Sequence, residues 1–166
     1  MIVLGIDPGL GTTGWAVVTG DAEHPELRAF GAIRTKPQAD PAHRLLQICE
    51  TVRELLREYQ PDQVAIEDVF LAKDTRAALA LGQARGAAVV GAALGGVPVS
   101  SYTALQIKQS VTGYGHASKE QVGYMVEQLL HLAGPPKPAD CADAAAIALC
   151  HLHRQDQRTM HAAGVA

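Results

Sequence analysis

Four carboxylates stand where a folded chain brings side chains together. Asp7 closes the apolar run Ile2-Val-Leu-Gly-Ile6 and precedes Pro8-Gly9. Glu67 closes a second short apolar run, Gln63-Val-Ala-Ile-Glu67. Asp140 and Asp143 sit three apart at a helix start, a spacing that projects both from one face. Carboxylates packed together repel one another unless cations compensate them. Carboxylate oxygens with water suit Mg²⁺ or Mn²⁺, and two such ions about 3.5–4 Å apart can stabilise both the attacking and the leaving oxygen of a phosphodiester displacement. Each residue alone has a plainer reading. Asp7-Pro8-Gly9 is a turn sequence, Glu67 a solvated strand end, and Asp140 with Asp143 an N-cap and a first-turn acid favoured by the helix dipole. Their joint occurrence in one small chain points to metal-dependent chemistry on a phosphodiester.

A positive cluster accompanies the acids. Residues 71–126 hold five Lys/Arg (Lys73, Arg76, Arg85, Lys108, Lys119) against Asp74 and Glu120, a net +3. Lys108 and Lys119 bracket Gly113-Tyr-Gly-His116, a loop whose backbone amides could approach phosphate. Phe70, one of two Phe residues, lies between Glu67 and Lys73 at an expected strand-to-helix loop, where an exposed ring would stack on an unpaired base. Cys150-His-Leu-His153 looks like a ligand run but matches no zinc spacing; these side chains are read as surface residues.

The elements that must position these groups follow from periodicity. Ile2–Ile6, Thr13–Thr19 and Leu27–Thr35 read as strands joined by short loops, an antiparallel meander. Residues 42–59 place Leu45, Ile48, Val52 and Leu55 on one helical face opposite Arg44, Glu50, Arg53 and Arg57. A strand at 63–67, a helix at 75–94, a strand at 97–101, helices at 103–111 and 118–132, and a final helix at 140–153 complete the order. The expected architecture is α/β: a mixed five-stranded sheet, three antiparallel strands then two parallel, with helices on both faces. One domain over 1–153 is expected, with a flexible tail at 154–166.

The 166 residues carry 14 Lys+Arg and 17 Asp+Glu, a net charge of −3, which argues against a uniformly basic nucleic-acid binder. Removing the four candidate ligands leaves 14 bases against 13 acids, so DNA affinity would rest on a local basic face. Three widely spaced cysteines fit reduced thiols. The N-terminus does not read as a signal peptide, and the longest apolar stretch, 87–99, is too short to cross a bilayer. A soluble, cytoplasmic protein without a membrane partner is expected.

The motifs also resemble a known family. Ile2–Gly9, Val64–Phe70 with Ala72-Lys73, Leu81–Gly86, Ile107–Gln109 with Ala117–Val122, and Ala139–Ala144 occur in the order and spacing of the RuvC-type Holliday-junction resolvases. The resemblance covers about residues 1–153. It implies a ribonuclease H-like fold and a homodimer that binds four-way junction DNA and nicks two strands symmetrically, in recombination and repair. It implies two Mg²⁺ per site, with Mn²⁺ as a substitute. A branch-migration motor complex would be a partner. Asp7, Glu67, Asp140 and Asp143 match the catalytic, metal-binding acids. Lys119 matches a catalytic and DNA-contacting lysine and Lys108 a second functional lysine. Phe70 matches a junction-engaging aromatic, with Lys73 and Arg76 beside it on the DNA-binding side. Three alternatives stand beside this one: a ribonuclease H-like nuclease of ribosomal RNA precursors, a non-catalytic junction-binding module, and an actin-like ATPase, for which the chain has room for only one of two halves.

Overall fold

The alternation of side chains along a strand decides which residues can meet in this molecule. A computed structural model describes residues 1–68 and 74–162, with side chains through residue 157. The strands are β1 (Ile2–Asp7), β2 (Thr12–Thr19), β3 (Glu26–Arg34), β4 (Gln63–Glu67) and β5 (Val99–Tyr102). The helices are α1 (Pro41–Tyr59), α2 (Thr75–Leu94), α3 (Ala104–Thr112), α4 (Lys119–Leu129) and α5 (Ala139–Ala162). The sheet order is β3-β2-β1-β4-β5. β1, β2 and β3 pair antiparallel, whereas β4 runs parallel to β1 and β5 parallel to β4. This is the mixed sheet of the ribonuclease H-like fold, with helices on both faces.

The central strand β1 is apolar on both sides because both sides are covered. Leu4, Ile6, Val17, Val64 and Ile66 pack with Ile48, Val52, Ala84 and Ala88 of α1 and α2. Val3, Ala16, Val18 and Ala65 face α5, α3 and α4. The period of two therefore sends Asp7 and Glu67, in step with Val3 and Ala65, toward α5. Ile6 pairs with Ile66, so the two acids emerge side by side, one residue beyond a shared rung.

α5 is the helix that lies on this face, and its residues Ala144 to Leu149 are almost fully buried. An apolar surface all round marks a core helix. Two strand glycines let it lie close: a Cβ on Gly5 would stand 2.1 Å from the Ala144 carbonyl oxygen, and one on Gly14 would stand 2.0 Å from that of Asp140. Gly14 is also the residue paired with Asp7.

Several boundaries differ from expectation. α5 runs to Ala162, nine residues past the expected end at His153. Its distal part falls within the expected flexible tail, yet Asp156 accepts a hydrogen bond from the Ala22 amide at 2.7 Å and anchors the helix to the β2–β3 connection. α4 stops at Leu129, because Leu130 caps it and His131 adopts φ 51°. Cys150 and His151 are core residues rather than surface ones: both are fully buried, and His151 Nδ1 is 2.9 Å from the Tyr102 hydroxyl. His153 is half-buried, with Nδ1 3.1 Å from Ser110 Oγ.

The expectation of no segment long enough to cross a bilayer is also corrected. α2 spans 20 residues with a mean hydropathy of 1.4 over its most apolar window. α2 is the helix expected at 75–94, and the 87–99 apolar stretch overlaps only its C-terminal part. Ala84, Ala88, Gly91 and Ala92 seat it on α1, where a Cβ at Gly91 would meet the Cys49 carbonyl oxygen at 2.6 Å. Leu79, Val90 and Leu94 stay exposed on its other side.

Candidate active site

The acids of β1, β4 and α5 converge on one open cleft of about 220 Å³. Asp7, Glu67 and Asp143 line it together with Lys108 and Lys119, and Ile107, Val122 and Ile147 supply apolar lining. Local chain chemistry aims the two lysines. Thr103 and Gln106 form a reciprocal capping box that starts α3, which carries Lys108. Ser118 and Gln121 do the same for α4, which makes Lys119 its first helical residue. Lys119 Nζ donates to Asp143 Oδ2 at 2.9 Å.

Asp140 is the one expected acid that does not line the cleft. It lies in the first turn of α5 and acts on Asp7 through its charge. Phe70 and Lys73 lie outside the described residues. Arg76 is exposed in the first turn of α2, where its amide donates to the Asp74 N-cap at 2.9 Å, and it does not line the cleft.

The electrostatics are those of an under-compensated anionic site. The Asp7 carboxyl is pushed up to about 8, first by burial and then by the charges of Asp143, Glu67 and Asp140, with Lys119 opposing. Glu67 is raised by burial and by Asp143, while Lys119, a hydrogen bond from Asp7 and Lys108 hold it down. Lys119 is raised by its bond to Asp143 and stays charged at any working pH. On α5 the Cys141 thiol, next to Asp140, is pushed up to about 11, first by burial and then by the Asp140 charge, so it stays a thiol at neutral pH.

These residues fit a hard divalent cation. Among the described residues no three Asp, Glu, His or Cys side chains form a ready-made cage. Mg²⁺ does not need one, since it keeps several waters and binds through one or two carboxylates plus substrate phosphates. The half-buried Asp7, whose carboxyl is pushed up by burial and by three neighbouring acids, is a group whose ionised form a cation would favour, and the donors are all oxygens. Asp7, Glu67 and Asp143 are the residues that would hold such an ion.

Sequence reasoning counts Arg85 in the basic cluster but gives it no role of its own. Its guanidinium donates from Nε to the Glu67 carbonyl at 3.3 Å and from a terminal nitrogen to Ser101 Oγ at 2.7 Å, and it pairs with Asp68 at 3.3 Å. It ties α2 to the ends of β4 and β5 at the point where Glu67 enters the cleft. The Leu81–Gly86 motif contains it, but only the folded contacts show what it holds.

The comparisons agree with this geometry. Residues 3–151 match the family described as crossover junction endodeoxyribonuclease RuvC. A crossover junction endodeoxyribonuclease RuvC of Burkholderia vietnamiensis is 51% identical over 153 residues, covering 92% of this chain and 84% of the relative. Its counterpart in Shewanella amazonensis is 49% identical over 152 residues, covering 92% and 87%. The structure of Thermus thermophilus RuvC in complex with Holliday junction substrate superposes with a TM-score of 0.91 at 39% identity, covering 96% of this chain and 97% of that one. A yeast mitochondrial Holliday junction resolvase, at 14% identity and a TM-score of 0.65, shares the fold.

Proposed function

The chain belongs to the RuvC family of crossover junction endodeoxyribonucleases, and from that premise we infer that it resolves four-way DNA junctions by paired, symmetric nicks, in recombination and repair. The observation that carries the reading is the convergence of Asp7, Glu67 and Asp143 with Lys108 and Lys119 on one cleft. The ribosomal RNA, non-catalytic and ATPase alternatives give way to it.

In this reading Asp7, Glu67 and Asp143 present oxygens to two divalent cations, Mg²⁺ with Mn²⁺ as a substitute, and Asp140 adds charge from one turn away. When bound, the cations supply an activated water and a counter-charge for the leaving 3′-oxygen. Asp7 gives up its proton as the site is loaded. Lys119 places a permanent positive charge beside the scissile phosphate, while its bond to Asp143 fixes that carboxylate's direction. Lys108 grips the backbone from α3. Phe70 and Lys73, by their place in the family motif, and the exposed Arg76 would also contact the DNA. Ile107, Val122 and Ile147 give the cleft a low-dielectric floor, which strengthens every charge above it.

A four-way junction has two symmetry-related strands to cut, so the reading includes a homodimer with one cleft per strand. The exposed Leu79, Val90 and Leu94 of α2 offer a face for a second copy, and Gly82 and Gly86 would allow close approach there. A branch-migration motor belongs to the reading as a partner, on the family resemblance. All three cysteines are free, which supports a reducing, cytoplasmic setting.

The test compares Mg²⁺-dependent cleavage of a synthetic four-way junction with that of a linear duplex of the same sequence. Paired nicks on the junction alone are expected. Equal cleavage of both substrates would remove the structure-selective reading.

A further inference from the structure

A second cavity, of about 750 Å³, opens directly onto the catalytic cleft: Lys119 and Asp143 line both. Its lining also includes Tyr124 of α4, the segment Pro135–Pro138 that leads into α5, and the charged Glu120, Glu127 and Lys137. Its volume lies within the range of roughly 300–1,000 Å³ that holds small organic ligands. Tyr124 is 59% exposed, in a chain with only seven Phe, Trp and Tyr residues in all. An exposed ring facing a proline surface is a stacking platform. Glu120, Glu127 and Asp143 outnumber Lys119 and Lys137 in the lining, which disfavours a phosphate in this space. They do not exclude a base, since carboxylates accept hydrogen bonds from exocyclic amino groups.

We propose that this cavity receives one unpaired base, that of a nucleotide flanking the scissile phosphate, stacked on Tyr124. The inference rests on the junction-nicking reading above, because it needs a strand running through the cleft. A phosphate held between Lys119 and the acids leaves the neighbouring nucleotide at the cavity mouth, and extrusion is least costly where pairing is already disrupted, as at a crossover. The site then contributes to the choice of cut position, which the acids alone cannot supply.

The test is a cycle between protein and substrate. Single-turnover nicking, with the protein saturating and Mg²⁺ present, is measured on an intact junction and on junctions abasic at the nucleotide on either side of the cut. One base–aromatic stack is worth about 1–3 kcal/mol, so Tyr124→Ala is expected to slow nicking of the intact junction by about tenfold or more. One of the two abasic substrates is expected to slow the unaltered protein by a similar factor, and combining that substrate with Tyr124→Ala should slow it no further. Tyr124→Phe, which keeps the ring, should behave as the unaltered protein. Tyr124→Leu replaces Tyr124→Ala if the latter lowers thermal stability.

Multiplied slowing in the combination, or indifference of the unaltered protein to both abasic positions, would overturn the inference. An unchanged nicking rate in Tyr124→Ala would do the same and would leave the groove to a protein partner. Tyr114 is exposed to the same degree but does not line this cavity; a Tyr114→Ala variant that abolished the abasic effect equally would also overturn it. Failure of the unaltered protein to nick any junction would instead remove the junction reading, and the inference with it.

Discussion

Asp7→Asn is expected to abolish nicking while making the metal-free protein more stable at neutral and alkaline pH. The Asp7 carboxyl is pushed up to about 8 in the fold, mainly by burial and then by three neighbouring acids. In the unfolded chain it titrates near its ordinary value of about 3.9. Below that value both states hold the proton, and Asp7 contributes no pH dependence. Between there and about 8 the unfolded chain has lost the proton and the folded chain keeps it. The folded state binds more protons across this window, so its stability falls as pH rises. The slope is about 1.4 kcal/mol per pH unit, and the full window of roughly four units sets a ceiling near 6 kcal/mol. The cleft is open and Asp7 is only half-buried by surface area, so water entry brings the realised penalty to a few kcal/mol. Glu67 is shifted in the same direction and steepens the decline.

Asparagine keeps the shape and never ionises, so the Asp7 share of the slope disappears. For a chain of this size 1 kcal/mol moves Tm by about 2–4 °C. Thermal melts in EDTA from pH 4.5 to 8.5 should therefore start nearly together and diverge upward in pH, with Asp7→Asn higher by about 5–10 °C at pH 8. Mg²⁺ should raise the Tm of the unaltered protein at pH 8 and do less for the variant, because asparagine offers no carboxylate charge for the cation to compensate. Junction binding, measured with Ca²⁺ in place of Mg²⁺, should survive the substitution. Parallel melting curves for the two proteins across the whole pH range would refute the electrostatic account of the site.

The remaining expectations concern neighbouring groups. Lys119→Ala should lower single-turnover nicking by about 10²–10³-fold, as for loss of one charge-stabilising donor, with little change in junction Kd; a loss confined to Kd would count against a role in the chemical step. Arg85→Lys should slow nicking measurably, because an ammonium cannot hold the Glu67 carbonyl, Ser101 and Asp68 together; full activity would show that Glu67 needs no such anchor. Gly14→Ala should cost about 1–3 kcal/mol in a denaturant melt, as overpacking does, and should impair nicking beyond that loss, since its Cβ meets the Asp140 backbone. Junction affinity should fall linearly on a log–log plot against salt, and Lys108→Ala should flatten that slope by about one.

What the sequence made legible was residue type and element order. Alternation and helical periodicity recover the ten elements of the described residues, and the strand-end acids by themselves point to the cleft. Register was not legible. That Ile6 pairs with Ile66, and so delivers Asp7 beside Glu67, depends on how β1 and β4 slide past each other, and period two fixes only the face. His151 was misread because a polar residue next to a second histidine looks solvated, whereas the Tyr102 hydroxyl satisfies it inside the core. The unequal fates of Asp140 and Asp143 follow from geometry that spacing alone leaves open. Three residues along a helix separate side chains by about 4.5 Å in rise and about 60° in rotation. Once Asp143 faces Asp7 and Lys119, Asp140 must lie one turn back and to the side. What fixes that choice is the seating of α5, and the seating is set by two glycines whose Cβ atoms would strike its backbone. In a strand such glycines read as weak points. Here the missing side chains at Gly5 and Gly14 are what let the helix carrying Asp143 come down onto the strand carrying Asp7.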